Sequence, residues 1–185
     1  AYSSEAGYAR TYAKVGVDKP ADFTPAKYAD AIRTQKAFAT NGPFIKLTAR
    51  KLDGAGLPFG PSVEVGDTIS VSPGAGEGLE LTVDIQAPEW VQFDRVEIYS
   101  HAPGRESVNG ESNGTWPEGR ILDKHVVDPL TWTVEAVPGP APLRRVHLVE
   151  KFAVKPTQDT WFVAMVRSSA TTRTMWPLHG DRPMG

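Results

Sequence analysis

Between residues 79 and 87 the chain alternates without interruption. Leu79, Leu81, Val83, Ile85 and Ala87 are apolar, and Glu80, Thr82, Asp84 and Gln86 between them are polar. A period of two puts each set on its own side of a pleated strand, so this segment predicts a half-buried β-strand. The same alternation recurs where Ile45, Leu47 and Ala49 interleave with Lys46, Thr48 and Arg50, and where Leu130, Trp132 and Val134 interleave with Thr131, Thr133 and Glu135. Val146, Leu148, Phe152 and Val154 mark another long strand, and residues 68–72 have strand character. Residues 93–100 follow a Pro88-Glu89-Trp90 turn, which predicts that they form a hairpin with 79–87. Residues 161–166 are apolar at successive positions, the pattern of a central strand covered on both faces.

Helical periodicity occurs in one place. Thr24 stands at an N-cap position with Pro25 behind it, and Tyr28, Ala31, Ile32 and Gln35 follow at helical spacing. This predicts a short amphipathic helix over 25–36. Residues 7–17 read as a loop entering a short strand. Thr40-Asn41-Gly42-Pro43 reads as a turn, because Asn-Gly tolerates positive φ and Pro43 cannot donate to a ladder. Residues 54–66 are rich in turn formers. Seven or eight short strands, one short N-terminal helix and no strand–helix alternation predict a mainly β fold. The expected form is an antiparallel immunoglobulin-like β-sandwich, with a closed barrel as the nearest rival.

Composition narrows the function classes. At 185 residues the chain is long enough for one domain with a real core. Seventeen glycines and sixteen prolines spread along it suit short strands separated by turns. Twenty basic and 22 acidic residues give a net charge of −2, which offers no electrostatic reason to expect nucleic acid or an anionic membrane as partner. No apolar run reaches the roughly 20 residues of a membrane helix. The absence of cysteine excludes disulfides, thiolate metal ligands and cysteine nucleophiles. It fits the cytosol and many bacterial exported proteins alike.

Metal-pair and nucleotide-binding motifs are missing. His101, His125, His147 and His179 are too far apart in sequence for an H-x-H or H-E-x-x-H metal pair. There is no Walker motif and no G-x-G-x-x-G, and the aspartates lack calcium-loop spacing. Residues 74–78 (GAGEG) lie between strands and read as a flexible hairpin. A self-contained hydrolase would have to assemble ligands from His101, His125 and nearby aspartates. Five tryptophans open a sugar-binding alternative. Trp132 and Trp161 fall within strand patterns, whereas Trp90 and Trp116 lie in loops where an exposed ring can stack on a pyranose face. The Gly-, Ser- and Asn-rich stretch 101–119 is long enough to serve such a site or simply to be mobile.

Several segments together resemble a known family. Gly7-Tyr8-Ala9-Arg10-Thr11-Tyr12 matches a G-Y-x-R-T-Y pattern, and Ala31-Ile32-Arg33 leads through Ala37-Phe38-Ala39 to Thr40-Asn41-Gly42-Pro43-Phe44. Gly66-Asp67-Thr68 and the run from Trp90 to Val96 add weaker matches. The chain resembles the region that follows the catalytic barrel in carbaryl-hydrolase-like metallohydrolases of the polymerase-and-histidinol-phosphatase superfamily. The resemblance implies that residues 1–43 are a junction segment from an upstream barrel and that 44–185 form the sandwich. It implies no cofactor in this chain, divalent metal ions in the barrel, and the barrel of the same polypeptide as partner. Arg10, Thr40 and Asn41 would lie at the barrel junction, where Arg10 would meet an anionic substrate or a barrel carboxylate. The family's H-x-H ligands and its N-P-containing closing strand have no counterpart here, so the implied role is that of a non-catalytic accessory domain. Such a domain should carry an apolar patch near its N-terminal segment and helix. The relatives' habit of export is the one pointer to a location.

Overall fold

The computed structural model describes residues 10–40, 42–89, 91, 93–100, 121–127, 133–138 and 143–167. These residues form ten strands, one α-helix and two short 3-10 turns. In chain order the elements are β1 (Arg10–Ala13), α1 (Pro25–Arg33), β2 (Ala37–Thr40), β3 (Phe44–Leu52), β4 (Pro58–Glu64), β5 (Gly78–Pro88), β6 (Arg95–Ser100), β7 (Ile121–Val126), β8 (Thr133–Val137), β9 (Leu143–Val154) and β10 (Phe162–Arg167). All pairings are antiparallel. They make a β1-β2 ribbon, a five-stranded sheet ordered β4-β3-β5-β9-β8, and a three-stranded sheet ordered β10-β6-β7.

The fold is therefore mainly β with one helix. The alternation of β5 sets its core: Leu81, Val83, Ile85 and Ala87 are buried, and the polar residues between them are half-exposed on the other face. Val146, Phe152 and Val154 of β9 join them, and so do Val96 and Ile98 of β6 and Val166 of β10. One cluster thus draws on both larger sheets, each covering the apolar face of the other in a sandwich-like arrangement. Burying side chains such as Val83 and Ile85 completely contributes about 1.5–3 kcal/mol each.

Four strand expectations change. First, β5 and β6 are not hairpin neighbours: β5 lies between β3 and β9, while β6 lies between β10 and β7 in the other sheet. The turn after Pro88 carries the chain across the core, and Val91 and Phe93 on the way are buried in it. Second, β10 is an edge strand, with Trp161 and Val163 more than a third exposed. The central strand of that sheet is β6, which buries Glu97 and Tyr99 on the face opposite Val96 and Ile98. Third, residues 68–72 form no strand, and β3 pairs on the side away from β5 with β4, within the stretch that reads as turns. Pro58, Gly60 and Pro61 are tolerated there because β4 is an edge whose register shifts opposite Ala49–Lys51. Fourth, β7 carries no alternation that announces it, and it pairs with β6.

Helix α1 starts as expected, with the Thr24 hydroxyl accepting from the Lys27 amide at 3.3 Å, and it ends at Arg33, short of residue 36. Gln35 stops it in the left-handed region at φ 61°. Lys36 N–H donates to Ala31 C=O and Gln35 N–H to Ile32 C=O, the crossed pair of a Schellman cap.

Candidate functional site

The segment 10–44 brings three aromatic rings together. In the β1-β2 ribbon Tyr12 is directly opposite Phe38, and Arg10 is opposite Thr40. Because cross-strand partners share a face, the Tyr12 and Phe38 rings stack at 5.1 Å with 14° between their planes. Phe44, the first residue of β3, meets both edge-on, at 5.3 Å from Tyr12 and 5.2 Å from Phe38. The cluster is not buried: Tyr12 is 38% exposed and Phe44 43%. On α1, Tyr28 is 39% and Ile32 42% exposed, and Ala31 alone is buried. The apolar stripe of this helix therefore faces outward, where an ordinary amphipathic helix would cover it.

Exposed ion pairs link the ribbon to the sandwich. Glu64 at the end of β4 accepts from Lys14 and pairs with Lys46 of β3 at 3.4 Å, while Asp67 pairs with Lys36 at 3.6 Å. The Lys14 ammonium holds the Glu64 carboxyl below its usual range, and Glu64 raises Lys14 in return. Between these acids lies Gly66, at φ +90°, with the Thr34 carbonyl so close that a Cβ would stand 2.5 Å from it. The Gly66-Asp67-Thr68 motif is thus the seat on which the end of α1 rests.

Arg10 and Thr40 are brought together as cross-strand partners at the rim of the aromatic cluster. Arg10 is exposed, and its guanidinium donates to the Tyr12 hydroxyl at 3.4 Å. Thr40 works locally: its hydroxyl donates to the Pro43 carbonyl at 2.7 Å and accepts from the Gly42 amide at 3.0 Å, which closes the turn. Asn41, Trp90 and Trp116 lie outside the described residues, as do His101, His179 and the 101–119 stretch.

Two histidines take part in polar clusters that spacing along the chain does not reveal. His147 of β9 lies between two carboxylates, with Nδ1 3.1 Å from Glu135 of β8 and Nε2 3.0 Å from Asp84 of β5. Arg145 donates twice to Glu135 at 3.1 Å and once to Gln86 at 2.8 Å. The hydrogen bond to Glu135 raises the His147 pKa above its ordinary value, and His147 with Arg145 lowers that of Glu135. His125 of β7 meets Glu150 of β9 at 2.5 Å and stacks on Phe152 at 4.0 Å. Among the described residues no three or more His, Asp or Glu side chains are arranged to hold a metal ion.

No single segment could have revealed the aromatic cluster. Tyr12, Phe38 and Phe44 stand in two of the segments that carry the family resemblance, but only the ribbon register and the start of β3 unite them. Comparison of the chain with family models, curated proteins and solved structures returns no match.

Proposed function

We propose that this chain is a non-catalytic accessory β-sandwich module of a polymerase-and-histidinol-phosphatase-type metal-dependent hydrolase, and that its N-terminal aromatic face packs on the catalytic barrel. The observation that carries this reading is the exposed Tyr12–Phe38–Phe44 cluster, on a ribbon linked to the sandwich by ion pairs of Glu64 and Asp67. Two of its rings, Tyr12 and Phe38, lie in the segment that the resemblance assigns to the junction, and Phe44 is the first residue beyond it. Large rings left open beside one another are what a packing surface requires. The divalent ions of such a hydrolase would belong to the barrel. The described residues of this chain do not fit them.

Sugar binding is the second reading, and ring geometry weighs against this cluster as its site. A pyranose needs a flat open ring face. Here Tyr12 and Phe38 lie against each other, and Phe44 stands at 83° and 84° to them, which makes a wedge. Wedges interdigitate with other side chains.

The test is association of the chain with its upstream barrel, made as separate polypeptides and titrated by calorimetry. Phe44→Ser should weaken binding at least tenfold, because exposed aromatic anchors dominate such interfaces. Unchanged affinity in that variant would remove the patch from the interface. Stoichiometric zinc or manganese in the chelator-washed chain, with hydrolytic turnover, would overturn the accessory reading itself.

A further inference from the structure

The outer face of the five-stranded sheet carries a second arrangement, independent of the aromatic cluster. Asp84 of β5, His147 of β9 and Glu135 of β8 lie across three neighbouring strands, and the imidazole is bonded to a carboxylate through each nitrogen. A carboxylate offers only acceptors. An imidazole that satisfies two of them must therefore donate from both nitrogens, which only the imidazolium can do. The neutral ring has one N–H, so one carboxylate would then face a lone pair at about 3 Å.

The surrounding charges decide which contact fails. Arg145, also on β9, forks onto Glu135 and keeps it partnered. On β3, Lys46 sits opposite Asp84 in register, but its ammonium pairs with Glu64. Lys151 of β9 donates to Glu80 of β5. Among the described residues His147 is thus the donor given to Asp84, and the remaining N–H of a neutral ring belongs on Nε2, toward Asp84. The contact that fails is Nδ1 to Glu135. Glu135 is on β8, which among the described residues is an edge strand whose one ladder is with β9.

We propose that His147 is a proton-controlled clasp on the edge strand β8: the imidazolium ties β8 across β9 to β5, and loss of its proton loosens β8 while the rest of the sheet stays closed. Protonated, the cluster of His147, Arg145, Asp84 and Glu135 is neutral. Deprotonated, it carries one net negative charge, and the repulsion falls on the strand with the fewest other ties. Opening of β8 would uncover the hydrogen-bonding edge of β9.

Amide hydrogen exchange of residues 133–137 in the whole chain tests this, with rates normalised to the intrinsic rate at each pH and the His147 ring followed in parallel by NMR. Protection of β8 should fall about tenfold with the midpoint of the ring titration, while residues 81–85 keep theirs. Asp84→Asn changes the logic without removing volume. A neutral ring can accept from the new amide and still donate to Glu135, so β8 protection in this variant should stay flat through the ring's titration. Flat protection in the unaltered chain would overturn the clasp, and so would an unchanged pH dependence in Asp84→Asn. His147→Phe, which offers neither carboxylate an N–H, should leave β8 in its loosened state at every pH. Full protection in that variant would equally refute the proposal.

Discussion

Gly66 and the Thr34 carbonyl are in contact that admits no side chain: a Cβ on Gly66 would lie 2.5 Å from the Thr34 oxygen and 2.6 Å from Cγ of Lys36. The first obstacle is backbone and cannot rotate away. The φ of +90° adds a conformational cost for any L-residue. Gly66→Ala should therefore destabilise the chain by about 2–3 kcal/mol, read as a lower urea midpoint at unchanged m-value. Exchange protection should fall first in β1, β2 and α1, because their seat is what moves. Equal loss of protection through β5 and β9 would mean that the ribbon is not a separately seated unit.

The cap of α1 points the opposite way. Gln35 holds the left-handed position of the Schellman cap, where glycine is the usual occupant. A left-handed L-residue costs roughly 1–2 kcal/mol, partly offset by the extra freedom glycine gives the unfolded chain. Gln35→Gly should stabilise the chain by about 0.5–1 kcal/mol in denaturant unfolding, with no change in the aromatic cluster. A loss of stability would show that the Gln35 side chain makes a contribution larger than its backbone strain.

What was legible in the chain follows from which face each residue meets. β5 alternates along its whole length because one face meets core and the other meets water, so periodicity finds it. β7 stays hidden because His125 points inward toward Glu150 of the opposite sheet and breaks the apolar pattern there. β10 misleads for the converse reason. Its apolar residues lie at a sheet edge, whereas the central strand β6 buries the polar Glu97 against Tyr99 and Arg167. Sites were less legible than strands. His147 and Asp84 are 63 positions apart and meet only through the β5–β9 register, as Tyr12 and Phe38 meet only through the ribbon.

The inward-facing pair should behave as a coupled unit. His125 and Glu150 join the two larger sheets at 2.5 Å, and the imidazole lies on the buried Phe152 ring. Glu150→Gln keeps the shape and removes the charge, and should cost about 1–2 kcal/mol, in the range of charge-assisted hydrogen bonds at a partly exposed site. His125→Ala should cost more, since ring packing goes with the hydrogen bond. A double-mutant cycle in denaturant unfolding should return a coupling of about 1 kcal/mol. A coupling near zero would make the pair a bystander to sheet association.

The pH dependence of global stability has a sign that the outer-face cluster sets. His147 titrates above its ordinary 6.5 in the folded chain, chiefly through its hydrogen bond to Glu135. A raised folded value means that the native state holds its proton more tightly. The stabilisation is complete below 6.5 and is lost as pH rises through the folded value. Glu135 titrates below its ordinary 4.5, chiefly through His147 and then Arg145. Its stabilisation is complete above 4.5 and is lost as pH falls through the depressed value. Both terms are complete together between 4.5 and 6.5, so the cluster's contribution should be greatest in that window. Urea midpoints measured across the range should fall on the alkaline side in the unaltered chain. In His147→Gln the alkaline fall attributable to this group should be gone, and the acid limb should be shallower because Glu135 has lost its main partner. An alkaline limb identical in the two chains would show that the folded and unfolded states bind the His147 proton equally.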